Sequence, residues 1–506
     1  MKWKYILPLA IMTLGSCSKD FLDQTDPNAT SIDNYFKTEN DVLLAVNGLY
    51  QALRNGNTLG ETSSLYSEQR SDNTGTNDNQ SNSGEPFQFN DFSLLPSNSY
   101  LKTHWVDMYD GIARCNILLA HIDEVTFSSE DTKKRYMAEA KFIRALLYSH
   151  MVRKWGAIPL TTVPPTTTDE VSAIAYRQDE SVVYAQIVKD LTEALDSNLP
   201  NEQWDYAVGR VSKAAINALL GQVYLTMGST LSENAQTNLQ QAETYLSAAY
   251  NMRSFGELKE IPYTDVFDVN KKNTCKELVF QIQYLQGDQN YSSAIARNNQ
   301  AKGETINSLK PSTGSGGMAK RDLVNDYEQG DLRKDFSVKF AADPQVSDWF
   351  ITKFRDTSPA AGEQGWGGND WIVIRYADIM LLLAETKMKL GKDGEAIALL
   401  DQVRARAGMP SYQEAMQNTA YATKHPTLKE AILHERRVEL AFENHRWFDL
   451  IRNYTATELV AYFKAKSQSD YGLANLNNIS TKDRYFPIPY DEYQLDPEKM
   501  YQNPGY

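Results

Sequence analysis

The stretch "YADIMLLLAETKMKLGKDGEAIALLDQVRARAG" (376–408) constrains the fold more than any other part of the chain. Apolar residues recur at helical spacing from Tyr376 to Leu390, Gly391 interrupts them, and a second run places Ala396, Leu400 and Val403 on one face. Two amphipathic helices joined by so short a turn fold back on each other. The small Ala384 lets them close up. The hairpin is left with an apolar seam that only another neighbour can cover. Two further segments share the pattern. "SKAAINALLGQVYLTMG" (212–228) carries Leu220-Gly221 and Tyr224, and "AETYLSAAYNM" (242–252) supplies Ala242, Leu246 and Ala249 as its partner. "KFIRALLYSHMVRKWG" (141–156) fits less fully, through Ala145 and Tyr148.

These pairs resemble tetratricopeptide repeats, the 376–408 pair without insertion and the 212–252 pair with about nine extra residues between its helices. An α-helical repeat scaffold follows. A further helix is expected over "TENDVLLAVNGLYQALRN" (38–55), capped by Thr38 with Asp41 near its positive end. Residues 55–99 are too rich in Asn, Ser and Gly to pack. Their Asp/Asn run, Asp72 to Asn79, suggests calcium, but the EF-hand order is absent and a solvated loop fits better. "CKELVFQIQY" (275–284) places Leu278, Phe280, Ile282 and Tyr284 on one face at period two, the signature of a strand. Residues 341–371 read as loop with three tryptophans, and the tail from Asn453 as turn and extended chain.

At the other end, Lys2 and Lys4 precede an apolar stretch, Tyr5 to Leu14. It is shorter than the roughly 20 residues a membrane span needs, and it fits a secretory leader. It ends Leu14-Gly15-Ser16-Cys17, which resembles the lipoprotein box of bacteria. There the leader, residues 1–16, is cut before the cysteine and the Cys17 thiol is lipidated; a chance cysteine in an ordinary leader is the alternative. A polar tether, 17–37, follows. The formal charge of −14 argues against nucleic acid or anionic lipid as the main partner, because their phosphates would be repelled. Cys115 and Cys275 remain, either paired or as buried free thiols. The six histidines show no metal-ligand spacing. "HERRVE" (434–439) misses the H-E-x-x-H pattern at Val438 and reads as helix surface.

Taken in order, the lipobox leader, "YADIMLLLAE", "HERRVELAFENHRWFDLIR" (434–452), "RYFPIP" (484–489) and the closing "QNPGY" resemble the SusD/RagB family of Bacteroidetes outer-membrane lipoproteins over essentially the whole chain. "THWVDMYDGIARCN" (103–116) and "LVNDYEQGDLRKDF" (323–336) fit as well. The resemblance implies a mainly α fold: a right-handed superhelix of tetratricopeptide-like helical pairs with a loop-rich, partly β region packed on it. It implies an N-terminal region, 38–270, and a C-terminal region, 271–506, integrated as one fold. It implies a surface lipoprotein, not an enzyme, that captures an oligosaccharide and delivers it to a SusC-like TonB-dependent transporter, with no cofactor required. The run from Ser18 to Asp23 resembles the family's surface-export signal. A peptide-capturing role, as in RagB-like members, is a variant; a secreted glycoside hydrolase and a pure scaffold are the competitors.

Two sets of residues bear on that choice. On the helix through 428–446, Glu435 and Glu439 fall on an apolar stripe one turn apart, like the carboxylate pair of a retaining glycosidase. Alternatively they are structural and need buried cations, for which Arg375, Arg404 and Arg437 are candidates. Sugar binding calls instead for exposed aromatic faces with polar groups around them. Tyr100, Tyr291, Trp349 and Trp366 are the loop aromatics that fit, Trp366 most clearly because glycines flank it; Arg70 and Asp72 in "EQRSDN" are the polar candidates. Trp105, Trp155, Trp204 and Trp447 lie in or beside helical segments and belong to packing.

Overall fold

The computed structural model describes residues 35–75, 84–205, 207–299, 318–342 and 347–506. The leader, the lipidation position Cys17 and the tether as far as residue 34 lie outside the described residues. Numbering only helices of eight or more residues, the elements are α1 Glu39–Leu53, α2 Ser99–His121, α3 Glu130–Trp155, α4 Glu180–Leu195, α5 Lys213–Thr230 and α6 Ala235–Asn251. Then come strands β1 Leu278–Ile282, β2 Val338–Ala342, β3 Ser347–Ile351 and β4 Trp371–Arg375. The rest is α7 Tyr376–Lys389, α8 Asp393–Arg406, α9 Leu428–Glu439, α10 Arg446–Asn453 and α11 Ala456–Lys464.

The helix starts obey local chemistry. Thr38 caps α1 and Asp41 returns the bond to the Thr38 N–H at 2.7 Å, a reciprocal box that satisfies two otherwise orphaned donors. Ser129, Ser212 and Thr427 cap α3, α5 and α9 through their side-chain oxygens alone, each accepting from a backbone N–H of the first turn, and Gly156 ends α3 at φ +73. The expected pairs form, α5 with α6 and α7 with α8, and α3 pairs with α4. At the α5–α6 crossing Gly221 is required by space: a Cβ there would sit 2.4 Å from Leu246 Cγ and 3.0 Å from the Leu246 backbone nitrogen.

Helix α7 is buried on every side from Tyr376 to Thr386, which makes it the axis of the C-terminal half. It also joins the halves, since Lys387 Nζ on α7 bonds Glu243 on α6 at 2.9 Å. Within the C-terminal region β1 pairs antiparallel with β4, while β2 and β3 form a separate hairpin. The chain end is sewn to the first half. Asn503 Nδ2 donates to the carbonyls of Trp155 (2.9 Å) and Phe486 (2.7 Å), and Arg177 Nη2 donates to Asn503 Oδ1 at 2.7 Å.

Several expectations need correction. The region 55–99 is not solvated throughout: Tyr66 to Thr74 is buried without a break, because its polar side chains find remote partners. The expected strand forms as β1; it is buried on both faces, and its one side-chain amide, Gln281, is satisfied by Lys272 O and Asp370. Residues 341–371 are not all loop, since they hold β3 and the edge of β2, and the tail contains α11, started by a Thr455–Glu458 box. Of the two alternatives for Cys115 and Cys275, the structure has the buried free thiols. His434, expected on a helix surface, is buried in α9.

The carboxylates of "HERRVELAFENHRWFDLIR" are buried with cations. Arg333 Nη1 bonds Glu435 (2.6 Å) and Glu439 (2.9 Å), Arg375 bonds Glu439 (2.6 Å) and Glu443 (2.7 Å), and Arg404 bonds Glu435 (3.1 Å). Arg406 adds bonds to Glu277 and Glu439. Of the cations expected from sequence, Arg375 and Arg404 take this role. Arg437 instead turns to Asp72, Asp322 and Asp326.

Two tests follow. Gly221→Ala gains roughly 1 kcal/mol of helix propensity but forces overpacking that costs about 1–3 kcal/mol, so the denaturant midpoint should fall. Burial opposes ionisation of Glu443, but Arg375 and Lys353 outweigh it and hold the carboxyl down at about 2, against 4.5 unpaired. A lowered carboxylate stabilises the fold above its unfolded value, and that stability is lost as pH falls through the folded one. Melting temperature should therefore drop between pH 4.5 and pH 2. Glu443→Gln, which leaves Lys353 without its carboxylate and removes one of the three that pair with Arg375, should cost about 3–5 kcal/mol at pH 7 and flatten that drop.

Candidate ligand-binding cleft

A cleft of about 440 Å³ opens between the 61–74 segment, the chain entering α2, the short helix Ile295–Asn298, and the ends of β3 and β4. Its size lies within the roughly 300–1,000 Å³ range of small-molecule sites. The walls are apolar: Phe87, Ile295, Ile351, Phe354, Trp371 and Phe442, all buried. Tyr100 stands at the rim, 41% exposed, in the first turn of α2. That turn is fixed by Asn98, whose side chain accepts from the Leu101 N–H at 3.0 Å.

Few polar groups converge on this apolar surface: Glu61, Glu68, Gln69 and Asn298 are the principal ones. Glu61 is held by the Ser293 hydroxyl and by the Ala294 N–H at 2.7 Å, and burial raises its carboxyl above the usual value. Glu68 is more unusual. Its Oε1 accepts from Asn73 Nδ2 (2.8 Å) and from the Phe442 N–H (2.9 Å). Its Oε2 is buried without a hydrogen-bond partner. Burial pushes this carboxyl up to about 7, so near neutrality much of it is an acid able to donate from the cleft wall. Phe442 reaches its place through a left-handed backbone, φ +70, which a non-glycine residue tolerates only where the surroundings hold it.

Of the residues expected from sequence, only Tyr100 lines the cleft. Tyr291 is 47% exposed, with the Arg54 guanidinium 4.7 Å from its ring centre. Trp366 is half-buried in a strap whose neighbour Gly367 bridges to Ser293, next to the cleft-lining Ile295. Trp349 is half-buried on β3, edge-on to Phe340 across the hairpin at 5.6 Å.

Arg70 and Asp72 are interior and not rim groups, which corrects the sequence reading. Arg70 Nη2 donates to the Asp483 carbonyl at 2.8 Å and lies 5.0 Å from the Trp447 and Phe486 rings. Asp72 is bonded by Arg446 (2.8 Å), Lys466 (3.0 Å) and the Tyr462 hydroxyl (2.6 Å). Burial alone would raise the Asp72 carboxyl, but Arg437, Arg446 and Lys466 hold it well below the usual range. It is thus already committed to cations, and most of the Asp/Asn run beyond it, 76–79, lies outside the described residues. Glu435 and Glu439 are fully buried among arginines, out of a substrate's reach. Sequence reasoning missed Glu61, Glu68, Asn298 and Trp371. Glu68 stands beside the quoted "EQRSDN" picks, yet nothing in its neighbours marks it as the inward-facing member.

Comparison with known proteins separates fold from function. A family model described as SusD family matches residues 337–506. A second, described as starch-binding associating with outer membrane, matches residues 20–225. SusD-like protein P2 of Formosa agariphila is 26% identical over the full length of both chains. The chain belongs to the SusD/RagB family. Among solved SusD/RagB structures, a laminarin binding SusD-like protein is 26% identical with TM-score 0.71, covering 93% of this chain and 100% of its own. Surface glycan-binding protein A from Bacteroides thetaiotaomicron, solved in complex with laminarihexaose, shares the fold with TM-score 0.72 at 19% identity, covering 92% of this chain and 99% of its own. The helical pairs are therefore the SusD scaffold.

Glu68 supplies a test in free protein. A carboxyl raised from 4.5 to about 7 destabilises the fold only where the unfolded chain is ionised, so its cost is absent below pH 4.5 and complete above pH 7. Glu68→Gln should raise the stability measured by denaturant unfolding by about 1–3 kcal/mol at pH 8 and leave it unchanged at pH 4.

Proposed function

We propose that this protein is a glycan-binding lipoprotein of the outer-membrane surface that takes an oligosaccharide into the cleft beside Tyr100 and delivers it to a SusC-like TonB-dependent transporter. The observation that carries the reading is the cleft's composition. One exposed aromatic face stands over apolar walls into which only a few carboxyl and amide groups project. A pyranose presents a C–H face to a flat ring and hydroxyls at its edge, so ring contact plus two to four hydrogen bonds suits it. A neutral Glu68 donates to a hydroxyl at no cost in burying charge. The names of SusD relatives that bind laminarin support the ligand class, and the family description naming the outer membrane supports the location. Anchoring is through Cys17, lipidated after cleavage of residues 1–16. Among the described residues no helix is long and apolar enough to cross a membrane, which fits a tethered protein. The reading is of capture without turnover.

Calorimetric titration of the mature chain, with Cys17→Ser, against laminari-oligosaccharides and a wider glycan panel tests this. Loss of stacking in Tyr100→Ala should weaken binding by about tenfold, and Asn298→Ala by about threefold to tenfold. The ligand should be recovered at its original length. Binding unaffected by Tyr100→Ala would move the site to the Tyr291–Trp366 straps, and release of shorter products would restore the hydrolase reading. Metabolic acyl labelling that persists in Cys17→Ala would remove the anchor.

A further inference from the structure

Three buried residues from separate segments meet beside α9: Asp326, His425 and His434, respectively 7%, 7% and 3% exposed. One ligand atom from each lies within 4.8 Å of the other two. The imidazoles stack with ring centres 4.1 Å apart. Neither ring nitrogen of His434 has a hydrogen-bond partner of acceptable geometry, although both are buried. Instead Nδ1 sits 3.4 Å from Asp326 Oδ2, and Nε2 sits 3.4 Å from Glu328 Oε1. That spacing is long for a hydrogen bond, and for His434 and Asp326 it is close to the edge of a tetrahedron whose ligands stand about 2.0–2.1 Å from a central zinc, roughly 3.3–3.4 Å; the stacked His425 ring has to turn its nitrogen toward the same point to complete the set.

We propose that Asp326, His425 and His434 form a zinc site, with His434 binding through Nδ1 and donating its Nε2–H to Glu328. The donor set decides the ion. Two imidazole nitrogens and one carboxylate suit zinc or cobalt, whereas calcium and magnesium want shells built mainly of oxygen. The Glu328 contact is the outer-shell carboxylate that fixes a metal-bound histidine's tautomer and orientation. Two cations also touch the site. Arg437 bonds Asp326 Oδ2 at 2.9 Å, and Lys424 bonds Oδ1 at 2.5 Å. An aspartate has lone pairs for Arg437 and a metal together. Lys424 is half exposed and reaches Asp326 from the surface, so it is a competitor that can swing away. In sequence the site is invisible: His425 and His434 are nine positions apart and the carboxylate comes from a different segment, so no spacing motif marks it. The lack of ligand spacing among the histidines in the sequence is compatible with such a site, because the fold and not the spacing brings these residues together.

The experiment is calorimetric titration of zinc into the metal-stripped mature chain with Cys17→Ser, with melting curves alongside and cobalt as a spectroscopic probe. One equivalent should bind with a Kd of about 10 μM or tighter, raise the melting temperature, and give the visible bands of tetrahedral cobalt. His425→Ala and His434→Gln should each weaken binding by at least about tenfold. Lys424→Met should tighten it by about twofold to fivefold, a gain that damage to the fold would not produce. Absence of stoichiometric binding would overturn the proposal. So would zinc binding that persists at full strength in a His425→Ala protein with an intact melting transition, since the metal would then sit elsewhere. If His434→Gln does not fold, the His425 and Lys424 variants decide the matter.

Discussion

The structure depends on neutralising charge that has no access to water. Helix α9 and the turn after it bring Glu435, Glu439 and Glu443 into the interior, and each meets at least one arginine at ion-pair distance. An isolated buried carboxylate would be prohibitively costly, so these contacts are obligatory once the helix packs. The partners arrive from four places: the 331–333 turn, Lys353 after β3, Arg375 at the end of β4, and Arg404 and Arg406 on α8. A hydrophobic core tolerates exchange of one aliphatic for another. A lattice of this kind does not, because removing one member strands its neighbours. It therefore specifies which segments must be adjacent as well as helping to hold them.

The cleft is an outgrowth of that lattice. Lys353 bonds Glu443 at 2.5 Å and donates to the Glu439 and Ala441 carbonyls, which fixes the turn that carries Phe442. Phe442 in turn donates its N–H to Glu68, and Asn73, also bonded to Glu68, accepts from Arg437 at 3.0 Å. Wall and lattice thus share atoms. A binding surface assembled this way is held in shape before ligand arrives, so little ordering cost is left for the complex.

What could be read from the chain and what could not divides along sequence distance. The helical pairs were legible because their period is local: Gly221 and Leu246 belong to one repeat, and Thr38 and Asp41 to one turn. The ion pairs were half legible. Charges on an apolar stripe announce that cations are needed, and Arg375 and Arg404 were found, but nothing local distinguishes Arg437 from Arg406. The polar stretch around Asp72 was misread because its composition resembles a solvated loop; the partner that buries it, Arg446, is 374 positions away. The cleft was least legible of all. Tyr100, Glu68, Asn298 and Trp371 come from four distant segments, and which side of each faces inward is decided by packing.

The seam at Asn503 has a consequence for how the two ends of the chain depend on each other. Its amide closes the carbonyls of Trp155 and Phe486, and its oxygen receives Arg177, which also donates to the Trp155 and Ala157 carbonyls, so the C-terminal end of the long helix α3 is closed by one hydrogen-bond cluster that includes a residue from the tail. Trp155 and Asn503 are 348 positions apart, so the end of α3 gains this closure only when the tail is packed against it, and a change at Asn503 would be felt in the N-terminal helices.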